Sequence, residues 1–204
     1  MIKIKICGCT REKDIEVVNN LQPDYIGFVF AEHSRRAVTR EQAKHLHGKL
    51  NSTIQVVGVF VNATLDFIVS LCEAGTIDLV QLHGKEEDSY IRELRHHIKN
   101  PIIKAFEVKS IDDITRANAS IADYVLLDHG PGGTGGTFDW SLISDISRPF
   151  FLAGGLQPSN VAYAIEKALK TTYLYGVDTS SGVETDGIKD YKKIEQFIQT
   201  VREG

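Results

Sequence analysis

Eight short apolar runs alternate along the chain with segments of helical length. The runs are IKIKIC (2–7), YIGFVF (25–30), IQVVGVFV (54–61), DLVQLHG (78–84), PIIKAFEV (101–108), DYVLLDHG (123–130), FFLAGGL (150–156) and YLYGVDTSSG (173–182). Several are apolar on both faces, which is typical of strands buried in a parallel sheet. Eight strand–helix units in 204 residues predict an α/β fold: a single (β/α)8 TIM barrel with a parallel eight-stranded core, spanning residues 1–204.

Helix-start signals precede several of the intervening segments. The stretch 39–42, TREQ, has the spacing of a capping box, with Thr39 as the N-cap. Thr64 and Ser110 stand where N-cap residues stand, directly before helical patterns. Pro158 and Ser159 introduce NVAYAIEKALK (160–170). These signals place helices between the strands, as a barrel requires.

A doubly wound open sheet is the alternative fold. Such a sheet normally carries a glycine-rich dinucleotide turn after its first strand. The segment in that position, GCTREKD (8–14), is not such a turn. No linker or low-complexity tract divides the chain. The barrel is therefore the favoured architecture.

Composition excludes several classes of function. The net charge of −4 gives no electrostatic reason to expect nucleic acid or an anionic membrane as partner. No apolar run approaches the ~20 residues of a membrane span, and the N-terminus lacks the features of a signal peptide. The three cysteines, Cys7, Cys9 and Cys72, are an odd, sparse set, which indicates free thiols in a reducing cytoplasm.

No histidine pair has the spacing of a metal site, and no cofactor motif is present. His45 and His47 are two residues apart, and His96 and His97 are adjacent, so neither pair shares a helical face. We expect no metal and no cofactor. The expected partner is a small molecule, and the chain is expected to be a monomer or a homodimer.

The active site of a (β/α)8 barrel lies at the C-terminal ends of its strands, and reactive residues are concentrated there in this sequence. Cys7 ends the first run and Asp128 ends the sixth. A thiol at a strand tip is either a small core residue or a reagent. A carboxyl group just above a packed core is either a turn cap or a general acid. Glycines at 130–136 suggest a loop that closes over a ligand.

Two glycine-containing tips, LAGGL and DTSSG, follow the seventh and eighth runs. In barrels of this class those two loops often bind phosphate. Gly154 and Gly155 allow close approach of the backbone, and Ser180 and Ser181 offer N–H and hydroxyl donors. Ordinary turns are the alternative for each motif alone, but the pair at these positions favours phosphate.

Polar residues follow three further strands, and the sequence does not decide whether each of them contacts a ligand. Arg35 and Arg36 follow the second strand, where one arginine can hold a carboxylate through two hydrogen bonds and an exposed pair is the alternative. His83 contacts either substrate or a neighbouring side chain. Asp178 opens the last motif.

In order along the chain stand KICGCT, GFVF…SRRAV, VGVFVN, VQLHG, LLD…GGTGGTFDW, LAGGLQPSNV and VDTSSGVE. Single pieces are weak signals, but the ordered set covers essentially the whole length. On these motifs the chain resembles the phosphoribosylanthranilate isomerase family of tryptophan biosynthesis. The family fold is a (β/α)8 barrel, which agrees with the count of strand–helix units.

The resemblance implies an Amadori aldose-to-ketose rearrangement, the third step from chorismate to tryptophan. It turns N-(5′-phosphoribosyl)anthranilate into 1-(2-carboxyphenylamino)-1-deoxyribulose 5-phosphate. The family's catalytic residues fall on Cys7 as base and Asp128 as acid, and its carboxylate-binding arginine falls on Arg36. The phosphate loops fall on Gly154, Gly155, Ser180 and Ser181, and the aspartate that opens the family's last motif falls on Asp178. Asp178 and His83 are further candidates for contact with the substrate. We therefore expect a cytoplasmic isomerase.

Two rival functions remain at this stage. A sibling barrel, the isomerase of histidine biosynthesis, carries out the same class of rearrangement with two aspartates, which Cys7 argues against. A non-catalytic ligand-binding barrel is the other rival, and the presence of both Cys7 and Asp128 counts against it. A turnover assay distinguishes the enzyme from the non-catalytic barrel.

Overall fold

A computed structural model describes residues 1–130 and 137–204 and shows a closed barrel of eight strands. Each strand pairs in parallel with the next along the chain, and the eighth pairs in parallel with the first. The strands are β1 (Lys3–Cys7), β2 (Tyr25–Val29), β3 (Gln55–Phe60), β4 (Leu79–Leu82), β5 (Ile102–Glu107), β6 (Tyr124–Asp128), β7 (Phe150–Leu152) and β8 (Leu174–Thr179). The predicted fold class is confirmed.

Helices cover the outside of this barrel. The α-helices are α1 (Glu12–Leu21), α2 (Arg40–His47), α3 (Leu65–Glu73), α4 (Asp88–His97), α5 (Ile111–Ala119), α6 (Val161–Ala168) and α7 (Tyr191–Glu203). Between β6 and β7 the described residues form a short 3-10 helix, Trp140–Asp145, in place of an α-helix. After β8 come a second 3-10 helix, Ser181–Val183, and a small hairpin of β9 (Glu184–Thr185) and β10 (Ile188–Lys189).

The helix starts follow the sequence signals with local differences. Thr39 caps α2 by accepting a hydrogen bond from the Gln42 N–H at 3.1 Å. The Gln42 side chain does not complete the capping box, because it donates to the Thr10 carbonyl instead. Ser110 caps α5 as predicted. Helix α6 begins only at Val161, after a turn.

Aromatic rings fill the N-terminal end of the barrel interior. Tyr25, Tyr124, Phe151 and Tyr175 pack together near the N-terminal ends of the strands, and the hydroxyls of Tyr25 and Tyr175 are 2.9 Å apart. Toward the other end the interior side chains become small, as at Ala153. Large side chains at the N-terminal ends of the strands and small ones at the C-terminal ends leave space at the C-terminal mouth of the barrel, where the active site is predicted.

Candidate active site

A single pocket at the C-terminal ends of the strands brings together all the predicted site residues. The residues predicted from the sequence that line it are Cys7, Arg36, His83, Asp128, Gly154, Gly155, Asp178, Ser180 and Ser181. They come from the C-terminal ends of six strands and the loops that follow them, so the closed sheet is what makes them neighbours. The predicted closing loop falls largely on 131–136, outside the described residues.

The two neighbouring thiols of KICGCT have different environments. The Cys7 side chain faces the barrel interior and reaches the pocket, with 8% of the residue exposed. Burial raises the pKa of the Cys7 thiol, and the Lys5 ammonium acts against that rise. Cys9 packs on the outer side of the barrel, fully buried, and burial raises the pKa of its thiol to about 12. Cys7 is therefore the thiol that a ligand can meet.

Two glycines leave room around Cys7. Gly27 lies opposite it on β2, where an added Cβ would stand 2.7 Å from the Cys7 sulfur. Gly8 has a φ of +81°, and an added Cβ would overlap the Arg36 side chain and lie 3.3 Å from the Ser180 hydroxyl. The break directly after the strand thus lets Arg36 and the loop after β8 close in beside the thiol.

Asp128 is held by groups on two sides. Its Oδ1 accepts a 2.7 Å hydrogen bond from the His129 N–H, and its Oδ2 is 3.4 Å from His83 Nε2. The Gln81 side-chain amide lies 2.9 Å from His83 Nδ1, and the other ring nitrogen, Nε2, faces Asp128. His83 therefore contacts the predicted acid, and Gln81 orients His83.

Gln81 is a site residue that sequence reasoning missed. It is 1% exposed, lines the pocket, and its Oε1 has no hydrogen-bond partner among the described residues. The available signal was the alternation in VQLHG, which puts Gln81 and His83 on the same, inward face of the strand. Because buried polar side chains normally have hydrogen-bond partners, a glutamine in a buried strand is a candidate site residue.

Arg36 and Arg35 both contact Glu184, a second residue the sequence did not single out. Arg36 grips this carboxylate through Nε and Nη2, each at 2.7 Å, and Arg35 adds a bond of 3.0 Å while its side chain stays 57% exposed. Burial alone would raise the pKa of Glu184, but the bond from Arg36 keeps it below its ordinary value. Arg36 lines the pocket, and among the described residues its Nη1 makes no hydrogen bond.

The loops after β7 and β8 are pressed together. Gly154 and Gly155 have φ of +83° and +64°, which only glycine adopts readily. The Thr179 hydroxyl donates to the Leu156 carbonyl oxygen at 2.6 Å. A Cβ on Gly182 would overlap that same oxygen. The two predicted phosphate loops are therefore one packed unit.

The two serines of this unit differ. The Ser180 hydroxyl donates to the Cys7 carbonyl oxygen at 3.0 Å, and Lys189 donates to the Ser180 carbonyl oxygen at 3.0 Å. Within the described residues the hydroxyl of Ser181, like the N–H groups of Gly155 and Ser181, makes no hydrogen bond. The predicted hydroxyl donor on Ser180 is thus already used to join the loop to β1, whereas Ser181 remains available.

Asp178 lines the pocket and pairs with a buried lysine. Its Oδ1 accepts a 2.8 Å bond from Lys5 Nζ.

In residues 1–130 and 137–204 no group of three or more His, Cys, Asp or Glu side chains is placed to hold a metal ion. The helices of that same part of the chain include none long and apolar enough to cross a membrane.

The family model described as N-(5′-phosphoribosyl)anthranilate (PRA) isomerase matches residues 4–200. The N-(5′-phosphoribosyl)anthranilate isomerase of Endomicrobium trichonymphae is 49% identical over 206 residues, covering 99% of both chains. The crystal structure of phosphoribosylanthranilate isomerase from Thermotoga maritima is 34% identical, covers 100% of both chains and has a TM-score of 0.88.

A further solved structure of a phosphoribosylanthranilate isomerase holds reduced 1-(o-carboxyphenylamino)-1-deoxyribulose 5-phosphate. It is 34% identical to this chain, covers 100% of both chains and has a TM-score of 0.86. These matches span the whole barrel and the loops that form the pocket. The chain therefore belongs to the phosphoribosylanthranilate isomerase family, the isomerases of tryptophan biosynthesis.

Proposed function

We propose that Cys7 and Asp128 are the general base and general acid of an Amadori rearrangement in this pocket. The substrate is N-(5′-phosphoribosyl)anthranilate and the product is 1-(2-carboxyphenylamino)-1-deoxyribulose 5-phosphate. The observation that carries the proposal is the placement of a thiol and a carboxyl group on β1 and β6, facing one pocket that Arg36 and two glycine-containing loops also line. The reduced product bound by a relative with the same fold supports the ligand class.

The chemistry needs one acid and one base. Asp128 donates a proton to the ribose ring oxygen, and the C1′–O bond breaks to give an open-chain Schiff base. Cys7, as thiolate, then takes the proton from C2′, which leaves an enolamine. Protonation at C1′ and loss of the enol proton give the ketone. General acid–base catalysis of this kind contributes typically about 10²–10⁴-fold for each group.

The binding groups fit the two ends of the substrate. Arg36 Nη1 and the second proton of Nη2 can together give a carboxylate two parallel hydrogen bonds, as an anthranilate group requires. The N–H groups of Gly155 and Ser181 and the Ser181 hydroxyl are donors for the phosphate. Glu184 fixes the other edge of Arg36, so the guanidinium needs little reorganisation when the carboxylate arrives.

The catalytic pair is tested by three single variants. Cys7→Ser replaces the thiol with a much weaker acid, and Asp128→Asn cannot donate a carboxyl proton. Each is expected to lower kcat by about 10²–10⁴-fold with KM and the circular dichroism spectrum little changed. Cys9→Ser is the matched control and retains most activity, because Cys9 lies outside the pocket. A folded Cys7→Ser protein with near-normal kcat would reject the thiol base.

The carboxylate grip is tested by Arg36→Ala against Arg35→Ala. Both arginines bond to Glu184, so the second variant controls for the loss of that ion pair. Hydrogen bonds to charged groups contribute about 1.5–3 kcal/mol, so Arg36→Ala is expected to raise KM roughly 10- to 100-fold. Arg35→Ala should change KM far less. Equal effects of the two changes contradict the assignment to Arg36.

The phosphate loops are tested with inorganic phosphate as an inhibitor. Phosphate is expected to raise the apparent KM competitively. Gly182→Ala should weaken this inhibition, because its Cβ would push the loop after β8 away from Leu156. Gly48→Ala is the control, since a Cβ there meets nothing closer than 3.5 Å. An apparent KM that saturating phosphate leaves unchanged would show that the phosphate lies elsewhere.

A further inference from the structure

Lys5 is a buried charge that the proposed reaction steps do not use. Its side chain is 0% exposed and lies inside the barrel, directly across the β1–β8 seam from Asp178. Its ammonium donates to Asp178 Oδ1 at 2.8 Å. An ammonium has three protons to donate, and the Cys7 side chain lies close enough to Lys5 to accept one of them.

The alternation of β1 places Lys5 next to Cys7. Ile4 and Ile6 pack outward against the helices, whereas Cys7 faces inward, and residues two apart on a strand share a face. Their Cα atoms are about 7 Å apart at the usual rise of a strand. The buried ammonium therefore stands one layer below the thiol that lines the pocket.

Packing alone gives a weak reason for this lysine. Taking an ammonium and a carboxylate out of water carries a large desolvation cost, and apolar residues of similar volume often stabilise a core as well or better. Aliphatic and aromatic residues make up much of the barrel interior, where Gln81 is a further buried polar side chain. Packing therefore does not explain why the charged Lys5 lies below Cys7, and a role in the site does.

We propose that Lys5, held in place by Asp178, is a positioning residue that stabilises the thiolate form of Cys7 and so sets the pH at which this side chain accepts a proton. For its kinetic meaning the proposal rests on the proposed role of Cys7 as base. The ionisation of Cys7 can be measured without any turnover.

The charges around the thiol agree with this assignment. Burial is the largest influence and raises the pKa of Cys7; the Lys5 ammonium is the strongest of the groups that lower it. Asp178 on β8 raises the pKa of Cys7 and Lys189 on β10 lowers it, while Arg36, in the loop after β2, also faces the thiol. Burial would lower the pKa of Lys5 itself, but Asp178 and Cys7 raise it above its usual value, so Lys5 stays charged.

The test is the pH dependence of Cys7 alkylation in the full-length Lys5→Met protein. Iodoacetamide reacts with the thiolate, and mass spectrometry of the Cys7 peptide separates it from Cys9 and Cys72. Removal of an opposite charge at this range is expected to raise the midpoint by about 1–3 pH units. Alkylation near neutral pH slows accordingly, and kcat falls while KM is little changed.

Lys3→Met is the matched control on the same strand. Lys3 bonds to Asp24 at 2.7 Å and its Cα lies about 13 Å from that of Cys7, so the midpoint should not move. Lys5→Gln, which can still donate to Asp178, repeats the measurement if Lys5→Met does not fold. Lys5→Arg, which restores the charge, should return the midpoint toward that of the wild type.

The outcomes separate the two claims. If a folded Lys5→Met or Lys5→Gln protein keeps the wild-type midpoint of Cys7 alkylation, the inference about Lys5 is wrong. The Lys5–Asp178 ion pair then only joins β1 to β8. If the midpoint rises but Cys7→Ser remains active, the effect of Lys5 on the thiol stands and the thiol base of the proposed function falls.

Discussion

The closure of the barrel between β1 and β8 is the constraint on which the site depends. Lys5 and Asp178 are register partners across that seam, and their ion pair lies inside the barrel. The same seam brings the loop after β8 against the end of β1, where the Ser180 hydroxyl bonds to the Cys7 carbonyl oxygen. The proposed base and the proposed phosphate loop are therefore fixed relative to each other by the sheet itself.

Glu184 extends this rigidity to the other end of the substrate. Its buried carboxylate holds Arg36 through two bonds and Lys189 through a third at 2.6 Å, and Lys189 in turn bonds to the loop at Ser180. One acidic side chain thus joins the proposed carboxylate grip to the proposed phosphate loop. A site organised in this way binds its ligand with little loss of side-chain entropy. Because the chain belongs to the phosphoribosylanthranilate isomerase family, the rival assignment to the histidine-biosynthesis isomerase is excluded.

Sequence reasoning found the strands and their tips because a buried parallel sheet has a clear hydrophobic pattern and its sites lie at one end. It missed pairings that exist only in three dimensions, as between Arg36 and Glu184. It also did not single out Lys5 in IKIKIC, which is buried because the side chains of both faces of this strand lie inside the protein. The close approach at Gly182 likewise depends on a neighbouring loop, so no local pattern reveals it.

The most direct test of the account is a crystal structure of this protein with reduced 1-(o-carboxyphenylamino)-1-deoxyribulose 5-phosphate. Reacting atoms in productive complexes lie about 3–3.5 Å apart. We expect the Cys7 sulfur at that distance from C2′, with Asp128 on the other side of the sugar, the carboxylate on Arg36 and the phosphate between Gly155 and Ser181. A ligand bound in reverse, or one whose C2′ lies beyond the reach of Cys7, would contradict it.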